Sequence, residues 1–274
     1  MAVMHESELY APLKQFFEQH GYTIKGEVRY CDLVGMKDGS DTPLIVEIKK
    51  TFTLALLLQG LDRQKLTSNV YVAVEKNRSK KGSHNQRWSD ITSLCRRLGL
   101  GFITVTLYKT KKPLVEIMCT PQQNLAVDGL ANDTANISGN LYGTSPTRKS
   151  PKKAARLVHE FKERSGDYNV GGSYGTKLMT AYREKALRIA LVMTDGAIMA
   201  PRQVKAQSGI GTAGAILRDN YYGWFERIAK GKYKLSALGQ DSLTQYASVI
   251  SGWDLTATTK DSDSNASNVS KSEL

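Results

Sequence analysis

The sequence predicts an α/β fold over its first 120 residues, followed across a polar linker by a smaller module of helices and a hairpin. Three observations carry this. Helical and strand periods alternate between residues 6 and 119, the tract "PQQNLAVDGLANDTANISGNLYGTSPT" breaks every period, and a compact pattern resumes from Lys177 to about Tyr246. Alternation of that kind builds a small mixed sheet flanked by helices. The expected boundaries are 1–120 for the α/β domain, 121–147 for a flexible linker, 148–176 for a basic helix or loop segment and 177–250 for the second domain. Residues 255–274 have almost no large apolar side chains and are expected to be disordered.

Each element has its own signal. "ESELYAPLKQFFEQHG", from Glu6, is an amphipathic helix closed by Gly21. "CDLVGMKDGSDTPLIVEIKKTF", residues 31 to 52, reads as two strands joined by a Gly- and Asp-rich turn. A Leu-rich helix follows around 53–67, then the apolar strand "NVYVAVE", the amphipathic helix "QRWSDITSLCRRLG", and the strands "GFITVTLY" and "LVEIMC". "RKSPKKAARLVHEFKER" is expected to be helical after Pro151.

The charge balance points to a partner class. The chain carries 38 Lys and Arg against 26 Asp and Glu, a formal charge of +12. Residues 145–240 hold 18 basic and 7 acidic residues, against 18 and 12 in residues 1–120, so most of the surplus lies in the basic segment and second domain. Such a surplus favours polyanions, nucleic acid or an acidic membrane surface. The aliphatic run "LALLLQGL" is too short to span a bilayer, and no signal-peptide pattern opens the chain. Cys31, Cys95 and Cys119 are few, odd in number and widely spaced, which indicates neither a disulfide framework nor a zinc site. The cytoplasm is the expected compartment.

The hairpin carries ionisable residues inside its strands. In "PLIVEIKK" Leu44, Val46 and Ile48 share one face, expected to pack into a core, while Ile45, Glu47 and Lys49 share the other, expected to line an exposed rim. A hairpin symmetric about the turn near Gly39 and Ser40 pairs residues whose numbers sum to 79, which sets Asp32 opposite Glu47. Facing carboxylates repel. A hard divalent cation removes that cost, and Lys49 beside it supplies an ammonium that orients a nucleophile or steadies a developing anion, an arrangement suited to phosphodiester hydrolysis. The plainer alternative is a solvated hairpin whose Glu and Lys face water. On the first helix Glu6 falls within the apolar stripe of Leu9, Leu13, Phe16 and Phe17, whereas Glu8 points away. Glu6 is therefore either a solvated residue at a frayed helix start or a third acid for the same metal.

The order of a helix with Glu, a strand with Asp and an "E-x-K" strand followed by a helix resembles the PD-(D/E)XK nuclease superfamily. More specifically, "ESELYAPLKQFFEQHGY", "CDLVG" and "VEIKKTFTLALLLQGLDRQKLT", with "LMTAYREKALRIALVM" and "AILRDNYYGWFERIAKGKYKLSALG" further on, resemble a bacterial family of PD-(D/E)XK phosphodiesterase-like proteins. The resemblance spans nearly the whole chain except linker and tail. It implies a restriction-endonuclease-like core, Asp32 and Glu47 as metal ligands, Lys49 as the catalytic lysine and Glu6 as an accessory acid. Cys31 stands where the superfamily has Pro. Some relatives carry Gln followed four residues later by Tyr. Here Gln59 is followed by Arg63, so only the Gln transfers, while Arg63 shares its helix face and is expected either to contact phosphate or to face solvent.

In the second domain "TAYREKALRIALVMTDGA" reads as a helix, "PRQVKAQSG" as another with Pro201 in its first turn, and "TAGAILRDNYYG" as a third ending at Gly223. "WFERIA", "KGK" and "YKLSALG" then form a hairpin running into a last helix. That is the order of a winged helix, expected to present Thr212, Arg218 and Asn220 to a duplex and Lys230 and Lys232 to phosphates, with Lys152 and Lys153 of the basic segment adding contacts. Protein contact or dimerisation is the alternative for this module. "GIGTAG" at 209–214 follows a helix rather than a strand, so it is not a dinucleotide fingerprint. "GGSYG" at 171–175 lacks the buried strand of a nucleophile elbow. His84, with Arg78 and Arg87, lies either near the active rim or in a basic loop.

The leading expectation is a cytoplasmic, Mg²⁺- or Mn²⁺-dependent nuclease acting on duplex or structured DNA. The rival is a non-catalytic winged-helix DNA-binding regulator that keeps a nuclease-like fold. The oligomeric state is left open, a homodimer included.

Overall fold

The computed structural model describes residues 4–76, 87–121, 149–173, 175, 177–194 and 196–253. It divides into two units, 1–180 and 181–274. The expected linker beyond Pro121, the 255–274 tail, Arg78 and His84 lie outside the described residues.

In the first unit a 3-10 turn, Glu6–Leu9, runs into α1, Tyr10–Gln19. Then come β1 Tyr22–Val28, β2 Cys31–Lys37, β3 Leu44–Lys49, α2 Leu54–Arg63, β4 Val70–Glu75, α3 Trp88–Arg97, β5 Gly101–Thr106, β6 Leu114–Cys119 and α4 Pro151–Glu163. The six strands form one sheet in sequential order. β1, β2 and β3 pair antiparallel, β3, β4 and β5 parallel, and β6 antiparallel to β5. Parallel neighbours need a crossover, which α2 and α3 supply, and right-handed crossovers along one direction place both helices on one face. Accordingly Val34, Ile45, Val72 and Phe102 pack with Leu56 of α2, Cys95 of α3 and Leu157 and Phe161 of α4. The opposite face, with Leu33, Leu44, Val46 and Ile48, packs against Leu9, Leu13 and Phe17 of α1.

Two expectations are corrected here. The face carrying Ile45, Glu47 and Lys49 is not an exposed rim: β3 is an interior strand under α2, so Ile45 and Glu47 are fully buried and Lys49 is partly covered. Second, β1 was not anticipated, because "YTIKGEV" mixes Lys, Gly and Glu into a strand. Lys25 is nonetheless buried, donating to the carbonyls of Phe161 and Arg164 at the end of α4. Its charge is satisfied by a helix end more than a hundred residues away in sequence, which no local pattern reveals.

The basic segment belongs to this first unit. Leu157 and Phe161 of α4 enter its core, and the fully buried Arg164 donates to the carbonyls of Gly26 at 2.8 Å and Met179 at 3.0 Å. Asp167 accepts from Gly26 N–H and Tyr10 O–H, both at 2.8 Å, and from Lys14.

The second unit comprises α5 Ala181–Leu191, α6 Pro201–Ser208, α7 Ala213–Asp219, the antiparallel pair β7 Phe225–Ala229 and β8 Lys232–Leu235, α8 Ala237–Gln245 and α9 Ala247–Ile250. Met199 bridges Tyr233, extending the hairpin by one short contact. Leu187, Val204, Ile216, Leu217 and Trp224 are buried. α7 stops at Asp219 rather than Gly223. Asn220 turns left-handed (φ 40°), and both ends of its amide bind the backbone of Phe225, at 2.6 and 3.0 Å.

Because α4 completes the core, a chain ended at residue 121 is expected to lack cooperative unfolding in urea, whereas residues 1–180 unfold as one transition. Phe161→Ala in the full chain should cost this unit about 3–5 kcal/mol, read as a lower urea midpoint.

Candidate active site

The register of the central hairpin is the one the turn dictates. Leu33 pairs with Val46, Val34 with Ile45 and Gly35 with Leu44. One step further sets Asp32 level with Glu47. There the Ile48 N–H donates to Asp32 Oδ2 at 2.7 Å, so the backbone of β3 itself holds the carboxylate. Glu47 is fully buried. Its Oε1 accepts from Arg63 Nε at 2.7 Å, while Oε2 is buried without a hydrogen-bond partner among the described residues. Arg63 also donates to the Tyr30 carbonyl at 2.6 Å and Asp62 at 3.2 Å. The guanidinium expected to reach phosphate or solvent is thus turned inward onto a carboxylate.

Lys49 Nζ donates to Glu6 Oε2 at 2.8 Å. Glu8 steadies the turn that carries Glu6 by accepting from the N–H groups of Met4 and His5. Glu6, expected as a third metal-binding acid, is thus paired with the lysine. Among the described residues no group of three or more His, Cys, Asp and Glu side chains is gathered closely enough to hold a metal ion. Gln59, one turn before Arg63 on α2, has its Oε1 buried and likewise without a partner among the described residues.

Burial, reinforced by the Asp32 charge and opposed by Arg63, pushes the Glu47 carboxyl up to about 7. Burial also raises Asp32, against the Ile48 N–H and the Lys49 charge. Glu27 behaves the same way: burial and then Asp32 push it up to about 7. The sequence reading did not single out this residue. The β1–β2 register pairs Gly26 with Leu33 and Val28 with Cys31, which sets Glu27 level with Asp32. Glu27, Asp32 and Glu47 thus occupy level positions on three adjacent strands. Within "EVRYCD" a two-residue turn at Arg29 and Tyr30 forces that pairing. Both residues adopt positive φ (48° and 70°) without being Gly or Asn, so the turn carries no sequence mark. With Glu27 itself at φ 49°, three unfavourable backbone conformations lie beside the carboxylates, the kind of strain that clusters at functional sites.

One wall comes from the tract after α4. The Ser173 N–H donates to Glu27 Oε1 at 3.3 Å, and Gly172 N–H also reaches that carboxylate. A Cβ on Gly171 would stand 2.2 Å from the Asp32 carbonyl oxygen, so only glycine lets the chain pass there. The "GGS" of the rejected elbow motif is therefore a close backbone approach to the acidic strands.

The donors suit a hard dication. They are all oxygens, and Glu47 Oε2 lacks any other cation or proton donor among the described residues. Mg²⁺ in particular is held by one or two carboxylates, with waters and substrate phosphate completing its shell.

The remaining expected residues are dispersed. Lys152 and Lys153 are exposed on α4. Thr212 is exposed just before α7, and Arg218 is exposed but paired with Asp219 at 2.9 Å. Asn220, expected to read a duplex, has its amide engaged by Phe225, which makes it a helix-ending residue. Lys230 and Lys232 are exposed on either side of Gly231 at the β7–β8 turn. Arg87 is exposed and pairs with Asp90. The three cysteines are free and buried. Among the described residues no helix is long and apolar enough to cross a membrane.

A six-stranded mixed sheet flanked by helices, with Asp32 and Glu47 level on neighbouring strands and Lys49 two residues on, is compatible with a PD-(D/E)XK core. The family model described as "Putative PD-(D/E)XK phosphodiesterase (DUF2161)" matches residues 103–242, and the chain belongs to that family. The matched residues begin in β5 and run into α8, so Asp32, Glu47 and Lys49 lie outside them. No curated protein and no solved structure matches the chain.

The raised Glu47 pKa has a definite sign. Between about pH 4.5 and 7 the folded chain holds a proton there that the unfolded chain has lost, so stability falls as pH rises through that window. In EDTA, thermal melts of the wild type should drop over this window, and Glu47→Gln should lessen the drop, leaving the share that Glu27 contributes. Added Mn²⁺ should raise the pH 7.5 melting temperature of the wild type and not that of the variant.

Proposed function

We propose that the chain is a Mg²⁺- or Mn²⁺-dependent nuclease that hydrolyses DNA phosphodiester bonds in the cytoplasm. Asp32 and Glu47 are the metal ligands, Lys49 is the catalytic lysine and Gln59 is an accessory residue. The observation that carries this reading is the orphaned Glu47 Oε2 level with Asp32: Arg63 pairs with the other Glu47 oxygen, and Asp32 has no direct ion pair among the described residues. When bound, a dication there supplies charge neutralisation at a phosphoryl oxygen and an activated water.

The chain's own residues do the rest. The Ile48 N–H and Arg63 fix the two carboxylates in orientation before any ligand arrives. Lys49 is held protonated, its pKa raised first by the hydrogen bond to Glu6, so it offers a fixed ammonium to the attacking water or the developing anion. Membership of a phosphodiesterase family supports the same reaction class.

The second unit is a winged helix in this reading. Its support is the order helix, short bridge, two helices joined by a Gly turn, and a hairpin whose tip presents Lys230 and Lys232. A second reading keeps DNA binding and drops catalysis. It is favoured by the Arg63–Glu47 ion pair, which already neutralises one proposed ligand.

Asp32→Asn and Glu47→Gln should each abolish Mn²⁺-dependent cleavage in a screen of duplex, single-stranded and branched DNA and of RNA. Lys49→Ala should lower kcat by about 10²–10⁴. Cleavage that survives in the Asp32 and Glu47 variants refutes the assignment, and Mn²⁺ titration heats indistinguishable between wild type and Glu47→Gln favour the non-catalytic reading.

Deleting residues 181–253 should remove most salt-dependent DNA affinity. Alanine at Lys230 and at Lys232 should each reduce the slope of log K against log[salt] by about one. Anisotropy titrations with labelled duplex at several salt concentrations read both effects.

A further inference from the structure

A cleft of about 490 Å³ opens beside the Lys49–Glu6 pair, lined by His5, Glu6, Ser7 and Lys50 together with Gly172 and Ser173. Two contacts join it to the carboxylate row: Glu6 is the partner of Lys49, and the N–H groups of Gly172 and Ser173 are bound to Glu27. Its volume falls in the range of roughly 300–1,000 Å³ typical of sites for small organic ligands.

The cleft's charges are unevenly matched. Glu6 is neutralised by Lys49. Lys50 makes no hydrogen bond or ion pair among the described residues, although it is half-buried. Glu8 lies close enough to feel the Lys50 charge, but its Oε1 is bonded to Met4 and His5 N–H. An unpaired ammonium in a cleft that also presents the Ser7 hydroxyl is a receptor for an oxyanion, while the Ser173 hydroxyl donates to the Val170 carbonyl. Gly172, at φ 73°, keeps the cleft open: a Cβ there would stand 3.3 Å from the Glu6 Cβ.

We propose that this cleft holds the nucleotide flanking the scissile phosphodiester, with Lys50 binding that nucleotide's outer phosphate. The proposal rests on the reading of the carboxylate row as a phosphodiesterase site. It adds to that reading a subsite for one nucleotide, in which the two phosphates of a nucleoside bisphosphate are divided between the Lys49 and Lys50 ends.

The test compares two probes, thymidine 5′-monophosphate and thymidine 3′,5′-bisphosphate, titrated calorimetrically into the full chain in Mn²⁺. The wild type should prefer the bisphosphate by about tenfold or more, as a charge-assisted phosphate contact implies. Lys50→Ala should reduce that preference to less than about threefold and Lys50→Arg should restore it, since either cation holds a phosphate. Absence of a preference in the wild type, or a preference that survives Lys50→Ala, overturns the subsite. Mn²⁺ titration of Asp32→Ala is read separately: undiminished Mn²⁺ binding there sinks the metal site while the bisphosphate ratio still judges the subsite.

Discussion

A carboxylate buried on the central strand with one oxygen satisfied and the other not is the constraint on which the rest of the first unit depends. Removing Glu47 from water costs several kcal/mol, and a single ion pair rarely returns all of it. Arg63 binds one oxygen and also donates to the Tyr30 carbonyl, so the guanidinium is held from two directions. That geometry requires α2 to cross directly over β3, which in turn requires the parallel β3–β4 step and its right-handed connection. The sheet order is therefore tied to the electrostatics of one side chain.

The tract after α4 closes the arrangement. Arg164 and Asp167 bind the backbone of Gly26 from both sides, its carbonyl to the guanidinium and its N–H to the carboxylate. This locks β1 against the sheet one residue before Glu27. The same tract then passes Asp32 at Gly171 and caps Glu27 with two N–H groups. A segment whose composition suggests a solvated connection instead positions two of the acidic strands. Its inclusion within the family-matched residues 103–242 fits that architectural role.

What could be read from sequence was what is local. Helix periods, Gly-terminated ends and the β2–β3 register depend on neighbours within a turn or a hairpin, and Asp32, Glu47 and Lys49 followed from that register. What escaped was set by distant partners. β1 looked too polar because the carbonyls that bind Lys25 belong to α4. Glu27 was hidden by a turn built from Arg and Tyr in glycine-like conformations. Arg63 and Asn220 were read as outward-facing because their inward partners, Glu47 and the Phe225 backbone, come from other elements. In each case the polar residue type suggested solvent or ligand, and tertiary contact supplied a protein partner instead.

The site's ionisable groups differ in how their charges are compensated. Arg63 is committed to Glu47 and Lys49 to Glu6, each by a direct ion pair. Among the described residues Asp32 and Glu27 accept hydrogen bonds from backbone N–H groups, which orient a carboxylate without neutralising it. Asp32 and Glu27 have no direct ion pair of this kind among the described residues, and burial raises the cost of ionising them together with Glu47. Protonation relieves that cost at low pH. Lys49 does not relieve it, because moving it to the buried acids would strip Glu6 of its partner. The arrangement thus keeps the ammonium charged and in place beside a row of acids that ionise only at a cost.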